Sequence, residues 1–436
     1  MSKLREIFEK YKIKEYFKNK FGDVEEEELT PEQKEEQRQM IYELIDKEFK
    51  SYVDDYYFAK NNNVNIDERK KEVEDKILKL IEEDESVLTI QDVDGCNIGM
   101  RACDYEFERI AFKALENEEA SVQQNEHGYN IGMFACFAKM EDVVLKALDN
   151  EVMCSQVATS SKNNLGMIAV MEGLEKAGLK ALDNPKTKYY KNSYGDHIGR
   201  IAITSKLENV ALKALEDEKL ATEQTNDGTN MGMLAVRYRQ EKVVLKALDN
   251  KEASLQQDNV GNNIGMIAAK YMMENCVLKA LDNHEASLQK NFEGYNIGAC
   301  AVVNCLKKAT LKALDNVEAS TQRLYSNSNI GMYAAEYGME EAALKALDNP
   351  VASIQQDDLG LNIGMYAAEC KLERVVLKAL DNKVARNQIE HCVVDKTIKD
   401  YCEEFGLTEA YKKACELYEL DQQEQLELDE FEMNEE

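Results

Sequence analysis

Apolar and small residues recur at intervals of about 33 residues through most of this chain, and residues 258–290 show one interval in full. A polar turn at 258–262 comes first, and two apolar stretches at helical spacing follow it. Their apolar positions are Met266, Ala268, Ala269, Met273, Val277, Leu278, Ala280 and Leu281. Asn263 is placed to cap the first helix, and Asn283 to end the second in a left-handed conformation. The pattern predicts a unit of turn, helix, turn and helix.

The tetrapeptide that opens the first predicted helix, Asn-Ile-Gly-Met or a close variant, occurs nine times in the chain. Its copies begin at Asn97, Asn130, Asn164, His197, Asn230, Asn263, Asn296, Asn329 and Asn362. Glycine always takes its third position, alanine lies three residues further on, and Leu-Lys-Ala-Leu-Asp-Asn or a variant follows. A unit this short cannot bury its apolar face alone, so the sequence predicts a stack of about nine repeats over residues 76–388.

The residues on either side of the array lack this period. Residues 1–75 are expected to form a helical capping region, with a short amphipathic helix near Leu4 and a longer one behind the capping-box sequence at Thr30. Residues 389–418 predict a degenerate C-terminal capping repeat. Residues 419–436 hold nine acidic residues and no basic one, which predicts a disordered tail. The expected fold class is all-α, or α with short β-hairpin or turn fingers between the helices.

The repeat resembles the ankyrin repeat, in which a turn precedes Thr-Pro-Leu-His and two short helices. Asn263-Ile264-Gly265-Met266 takes the place of that tetrapeptide, Ala268 matches the alanine that follows it, and Gly261 matches the glycine of the hairpin loop. The resemblance implies an ankyrin-like helical solenoid. Proline becomes isoleucine, leucine becomes glycine, histidine becomes methionine, and the glycine after the second helix is missing. A related helical-hairpin solenoid with units of 33–34 residues is the alternative architecture.

The net charge indicates which classes of binding partner to expect, and the cysteine content indicates the cellular compartment. The formal net charge of −29 disfavours nucleic acid and anionic membranes as partners and favours basic proteins. The chain has no long apolar run, so no membrane span is expected. Eleven cysteines without a C-x-x-C pair, among them Cys103, Cys136 and Cys370, are expected to be reduced, buried fillers in the cytoplasm. Delivery into another cell stays open. A monomer is expected.

Sequence signals for catalysis are weak. The four histidines have no cysteine or carboxylate companions at metal-ligand spacing, no phosphate-binding glycine loop occurs, and no nucleophile elbow is present. We therefore expect no enzyme activity, no catalytic residue, no cofactor and no metal.

Positions that vary between repeats are the candidates for binding. In ankyrin-like stacks, the turn tips and the inner face of the first helix form the concave recognition surface, and here both places carry aromatic residues. The predicted partner-binding residues are Tyr105, Phe137, Tyr238, Tyr271 and Tyr337 on first helices, Tyr129, Tyr194, Phe292, Tyr295 and Tyr325 at turn tips, and the acidic Glu336 and Asp358. Tyrosine is common at binding hot spots because it offers contact area and a hydrogen bond at small entropic cost.

The function expected from these features is a non-catalytic scaffold that binds a protein partner, with a basic segment, through the concave face of the stack. Two alternatives stay open. In the first, the array selects targets for an activity that resides in residues 1–75. In the second, the acidic surface mimics nucleic acid and occupies the binding site of another protein.

Overall fold

The described part of the chain, residues 30–62, 64–391 and 395–435 of a computed structural model, consists of helices and turns without a β-strand. Side chains are described as far as residue 428. The amphipathic helix predicted near Leu4 lies outside these residues. The chain divides after Ser193 into two compact units, which are described separately below.

The first unit begins with two helices and a 3-10 turn that cover the first repeat. The long helix Pro31–Asn62 starts at the predicted capping box, where the Thr30 N–H donates to Gln33 Oε1 at 2.8 Å. Helix Asp67–Glu83 and the 3-10 turn Glu85–Thr89 follow. The long helix buries Tyr52, whose ring lies 4.7 Å from that of Phe107 in the first repeat. Phe49 and Tyr52 of this helix are thus packed against the first repeat, whereas Tyr56 and Tyr57 remain exposed.

Nine repeats follow, and each contains two helices of about two turns. The first helices are Ile98–Asp104, Ile131–Phe137, Leu165–Met171, Ile198–Thr204, Met231–Arg237, Ile264–Lys270, Ile297–Val303, Ile330–Glu336 and Ile363–Glu369. The second helices are Glu108–Glu116, Glu141–Ala147, Glu175–Ala181, Glu208–Ala214, Glu241–Ala247, Glu274–Ala280, Lys307–Ala313, Glu340–Ala346 and Glu373–Ala379. Repeats 1–3 belong to the first unit and repeats 4–9 to the second. The described residues therefore form a helical solenoid in each unit.

A third short helix in each repeat was not predicted. These helices are Glu118–Val122, Glu151–Ser155, Pro185–Lys188, Glu218–Thr222, Lys251–Leu255, His284–Leu288, Val317–Thr321, the 3-10 turn Ala352–Ile354, and Lys383–Arg386. Asn283 has φ −87°, so it is not left-handed as expected. Its side chain instead accepts the Ala286 N–H and caps the third helix, because asparagine serves helix starts as well as helix ends.

Each repeat has a left-handed residue between its first and second helices. Glycine holds this position only at Gly173 and Gly338. The other repeats force a non-glycine residue to positive φ, at Glu106, Lys139, Lys206, Arg239, Met272, Cys305 and Lys371. Each of these costs about 1–2 kcal/mol relative to a relaxed backbone, a cost that the packing of the flanking helices overcomes.

Close packing explains the fixed glycine of the tetrapeptide. A Cβ on Gly265 would lie 2.7 Å from the Ala280 Cβ and 2.6 Å from Cδ1 of Ile297 in the next repeat. The first helix therefore touches both the second helix of its own repeat and the following repeat. Met266 beside it is 2% exposed, which confirms its predicted place in the core. The methionines at the same position of other repeats are buried as well: Met100, Met133, Met167, Met233, Met332 and Met365.

The fixed asparagine joins three parts of a repeat. Asn263 Oδ1 accepts the Met266 N–H at 3.0 Å, and its Nδ2 donates to Ala286 O at 3.0 Å and to Gln289 Oε1 at 2.9 Å. Gln289 Nε2 in turn donates to Leu255 O of the preceding repeat at 2.6 Å. One fully buried side chain thus links the first helix, the third helix and the neighbouring repeat.

The recurring lysine of the second helix also connects repeats. Lys312 Nζ donates to Leu278 O at 2.8 Å and lies 2.5 Å from Asp282 Oδ1, both in the preceding repeat. Asp315 lies three residues after Lys312, a spacing that allows a pair within one helix, but the lysine contacts the acid of the preceding repeat instead. Its bond to a helix-terminal carbonyl satisfies a group that the helix itself leaves unpaired.

The turns between repeats do not form β-hairpins. They are linked by single backbone hydrogen bonds, for example from the Phe292 N–H to Val260 O at 3.1 Å, and an isolated bridge joins Val157 and Asn164. Gly261 has φ +84°, and a Cβ there would lie 2.9 Å from the Asn291 Cα. Glycine is therefore required both by the backbone conformation and by the neighbouring turn.

The C-terminal cap consists of the helices Ile398–Phe405 and Thr408–Glu435. The second runs through the residues predicted to be a disordered tail, so that prediction differs from the structure. Arg386 explains the difference, because its Nε and Nη2 bind the two carboxylate oxygens of Asp421 at 2.7 and 2.5 Å. Lys383 adds a 2.6 Å contact to Glu424, so the array supplies cations that the acidic tail lacks.

Candidate functional site

Three rows of equivalent side chains line one side of the first helices in the second unit, and the row four residues after the capping residue is buried or half-buried. Because neighbouring first helices pack side by side, positions four, seven and eight residues after the capping residue align from repeat to repeat. We call these rows, in repeats 4–9, the first-helix surface. It comprises Ile201, Thr204, Ser205, Leu234, Arg237, Tyr238, Ile267, Lys270, Tyr271, Cys300, Val303, Asn304, Tyr333, Glu336, Tyr337, Tyr366, Glu369 and Cys370. The residue seven positions after the capping residue is exposed in every repeat of this unit.

Tyr105 of the first unit is half-buried against the long N-terminal helix. Its ring is 5.3 Å from that of Phe49 in the long N-terminal helix, and burial raises the pKa of its hydroxyl. The sequence did not show that the capping helix packs beside Tyr105, and the assignment of Tyr105 as a binding residue stays a prediction. Tyr105 lines a pocket of about 170 Å³ together with Tyr52, Tyr56 and Tyr57.

The other predicted aromatics of the first unit cluster with one another. The Tyr129 ring meets Phe134 and Phe137 edge-on, with centroids 6.2 and 5.3 Å away. Phe137 keeps 45% of its surface exposed, while Tyr129 is half-buried. Part of this aromatic surface therefore serves the packing of its own repeat.

In repeats 7–9 the structure brings predicted tyrosines together with residues that were not predicted. Tyr295 lies 6.0 Å from Tyr325 and 5.7 Å from Tyr333, and the Tyr333 hydroxyl donates to Tyr325 O at 3.1 Å. Burial raises the pKa of Tyr295. Tyr325 and Tyr337 remain exposed beside this cluster. Tyr333 and Tyr366 were missed, although each directly follows the tetrapeptide, at a position that the other repeats fill with isoleucine, leucine, phenylalanine, cysteine or arginine.

Two exposed glutamates stand next to these tyrosines. Burial against the neighbouring helices and the charge of Asp357 raise the pKa of Glu336. Burial is the main reason that the pKa of Glu369 is raised, and the negative charges of Glu390 and Glu336 raise it further. Within the described residues, no lysine or arginine lies within 4 Å of Glu336 or Glu369. Like charges thus face each other here without a neutralising cation.

Hydrogen bonds fix the other acidic groups of this region. The Tyr366 hydroxyl donates to Asp357 Oδ2 at 2.7 Å, and Asn327 donates to Asp358 at the turn tip. In the cap, the Tyr401 hydroxyl donates to Glu390 Oε2 at 2.8 Å. We call Tyr333, Glu336, Tyr337, Tyr366 and Glu369, with these supporting acids, the acid-tyrosine surface.

Tyr238 and Tyr271 have different neighbours from those expected. The sequence placed them on an acidic surface, but the Arg239 guanidinium lies 6.0 Å above the Tyr271 ring. Arg237 and Lys270 are exposed in the same two repeats, with Arg237 3.6 Å from Asp227. The negative net charge concealed this local excess of cations, because it sums over the whole chain.

The remaining predicted aromatics lie at turn tips. Tyr194 and Phe292 are 79% and 82% exposed. Phe292 nevertheless borders the turn of the preceding repeat, since a Cβ on Gly261 would lie 3.0 Å from its ring. Tyr325 similarly borders Gly294. These tips contact their neighbours on one side and water on the other.

The described residues contain no metal-binding cluster, and no family model or curated protein matches the chain. In residues 30–62, 64–391 and 395–435, no group of three or more His, Cys, Asp or Glu side chains is placed to hold a metal ion. The same residues contain no helix that is long and apolar enough to cross a membrane. Cys103 and Cys136 are buried as predicted, whereas Cys370 is exposed.

Proposed function

We propose that this protein is a non-catalytic scaffold of the divergent ankyrin type, and that it binds a basic segment of a protein partner on the acid-tyrosine surface. The observation that carries the proposal is the pair Glu336 and Glu369, two exposed carboxylates with raised pKa values beside tyrosine rings. A lysine or arginine of the partner relieves their mutual repulsion and stacks on the exposed face of Tyr337.

The support is chemical and local. Tyrosine and carboxylate together attract a cation through the ring face and the negative charge, and the hydroxyls add directional hydrogen bonds. The hydrogen bonds from Tyr366 to Asp357 and from Tyr401 to Glu390 hold these groups in place before the partner arrives. A surface arranged in advance loses less conformational entropy on binding.

The expected alternatives differ from this proposal in what they require. A nucleic-acid mimic needs a broad acidic face and binds without help from the tyrosines. An activity in residues 1–75 needs a polar centre near the N-terminus; the part of that region that is described, 30–62 and 64–75, contributes packed aromatic residues such as Tyr52. We favour the scaffold because aromatic and acidic groups coincide in repeats 8 and 9.

The test is a peptide titration of the full-length protein at low and at high salt. Lysine-rich peptides with and without aromatic residues are titrated against the wild type, Glu336→Gln with Glu369→Gln, and Tyr337→Ala. Glu293→Gln, an exposed acid at a turn tip, is the matched control. We expect the double glutamine variant to bind about tenfold more weakly, from two lost charge contacts of up to about 1 kcal/mol each. Equal binding by all variants would refute this site.

Lowering the pH separates binding from unfolding. Because the pKa values of Glu336 and Glu369 are raised, both lose their charge at a higher pH than ordinary glutamates, so affinity for a basic peptide should fall on mild acidification. A raised pKa in the folded state means that the native protein binds more protons than the unfolded chain. Protonation of these two groups therefore adds stability as binding weakens. Loss of affinity with unchanged circular dichroism is the expected result.

A cytoplasmic location and a monomeric state belong to the same proposal. The ten cysteines in the described residues are unpaired, and burial raises the thiol pKa of Cys276 to about 12, which keeps it protonated and unreactive. Light scattering of the purified protein tests the monomeric state, and immunofluorescence of the native protein tests the location.

A further inference from the structure

The first-helix surface has two ends of opposite charge. In repeats 5 and 6 the position seven residues after the capping residue holds Arg237 and Lys270, and in repeats 8 and 9 it holds Glu336 and Glu369. Val303 of repeat 7 stands between them and is 37% exposed. A single row of equivalent, exposed positions therefore changes from basic through apolar to acidic.

Neighbouring positions strengthen the basic end. Lys206 and Arg239 are exposed in the left-handed links of repeats 4 and 5, and the Arg239 guanidinium stacks 6.0 Å from the Tyr271 ring. Asp227 partly neutralises Arg237 at 3.6 Å. Among described residues, no carboxylate lies within 4 Å of Lys270. Cations thus accumulate in one part of a chain whose formal net charge is −29.

The acidic end is similarly defined. Glu336 and Glu369 are joined there by Asp357 and Asp358 from a turn and by Glu390 from the cap. Lys371 is an exception, because it is an exposed cation in the left-handed link of repeat 9. It does not offset the raised pKa of Glu369, so the local potential there stays negative.

From this arrangement we infer that the partner is an extended, charge-segregated segment, with an acidic block for repeats 5 and 6 and a basic block for repeats 8 and 9. The inference rests on the proposed function and adds the acidic block, which a uniformly acidic surface does not call for. A segment with both blocks fits in one direction only, since reversing it places like charges together at each end. Like-charge contacts of this kind supply specificity more than affinity.

The spacing of the blocks follows from helix packing. The centre of the basic end lies three repeats from the centre of the acidic end, and packed helices are separated by about 8–10 Å. The two centres are then about 24–30 Å apart. An extended peptide advances about 3.3 Å per residue, so the centres of the acidic and basic blocks lie about seven to nine residues apart. The inner charges Lys270 and Glu336 are two repeats apart, about 16–20 Å, so the spacer between the blocks is about five to six residues long. Apolar or aromatic residues in that spacer would contact Val303 and Tyr295.

The test uses the full-length protein and three synthetic peptides. The first has a block of glutamates, a neutral spacer of about five residues that contains tyrosine, and a block of lysines. The second has the same composition with the charges mixed, and the third replaces the glutamates by lysines. Binding is measured by fluorescence anisotropy at low and at high salt, for the wild type and for two charge variants, Arg237→Glu with Lys270→Glu and Glu336→Lys with Glu369→Lys.

For the wild type we expect the segregated peptide to bind about tenfold more tightly than the mixed one, from several exposed charge contacts of up to about 1 kcal/mol each. The first charge variant should lose this preference and favour the all-lysine peptide. A protein that combines both variants has reversed polarity and should regain the preference, which shows that folding is intact.

The outcomes separate the two proposals. If the all-lysine peptide binds through Glu336 and Glu369 and the segregated peptide has no advantage over the mixed one, the bipolar inference fails and the proposed function stands. If no peptide binds even at low salt, both are overturned. If affinity depends on total charge and not on order, the surface acts as a nonspecific acidic patch, which also overturns the inference.

Discussion

Replacing Asn263 by alanine tests how a single buried polar side chain holds a repeat together. The substitution removes an N-cap, which costs about 1 kcal/mol. It also leaves Ala286 O and Gln289 Oε1 without their buried donor, at about 1–3 kcal/mol for an acceptor that cannot reach water. The glutamine can turn toward the gap, so we count one full penalty. The expected loss in the free energy of unfolding is about 2–4 kcal/mol.

Hydrogen exchange is the suitable assay, because a repeat array can unfold locally and a single equilibrium transition would average over its parts. We expect faster exchange in repeat 6 and in the third helix of repeat 5, which Gln289 contacts through Leu255 O. Asn226→Ala, at an exposed turn position, is the control and should change little. Asn263→Asp keeps the cap acceptor and loses both donors. A loss below about 1 kcal/mol for Asn263→Ala, or the same loss for the control, would refute the reasoning.

Three further predictions follow from backbone strain, packing and charge. Met272→Gly removes a non-glycine residue from φ +59° and should raise the free energy of unfolding, measured by urea titration, by about 1 kcal/mol. Gly338→Ala places a side chain at φ +68° and should lower the free energy of unfolding by a similar amount. Gly265→Ala should destabilise by about 1–3 kcal/mol despite better helix propensity, since its Cβ meets two neighbours below 3 Å; unchanged stability would show that the repeats can separate. Arg386 lowers the pKa of Asp421 to about 2. The stability that this ion pair contributes is therefore complete above the unfolded pKa of about 3.9 and is lost as the pH falls through 2. Arg386→Met should abolish this acid dependence, measured by circular dichroism of the C-terminal helix.

Local rules were sufficient where one residue acts within its own turn of helix. Asn263 is the predicted N-cap, and Thr30 and Gln33 form the predicted capping box. Met266, one of the predicted apolar positions, is buried as expected. The local rules failed where one residue type serves two ends of a helix. Asn283 fits a left-handed helix end as well as a helix start, and only its position directly before a third helix decides between them.

The candidate site could be predicted only in part for a related reason. Aromatic residues at variable positions marked Tyr295, Tyr325 and Tyr337, but Tyr333 lies at a position where isoleucine or leucine is the commonest choice in the other repeats. Its role became apparent when the turn of the same repeat brought the Tyr325 carbonyl within reach of its hydroxyl. Tyr105 is the opposite case, since a helix from outside the array packs beside it and leaves it half-buried, which the repeat pattern could not show.

The sequence by itself determined the repeat, its length, its core positions and its helical class, because these depend on periodic burial and on caps that act within a few residues. Tertiary structure decided which charges face one another. The residues of one charge row are 33 apart in the chain and become neighbours only when the repeats stack. Net charge and local pattern therefore missed the change from Arg237 and Lys270 to Glu336 and Glu369, since an electrostatic surface depends on distances through space and not along the chain.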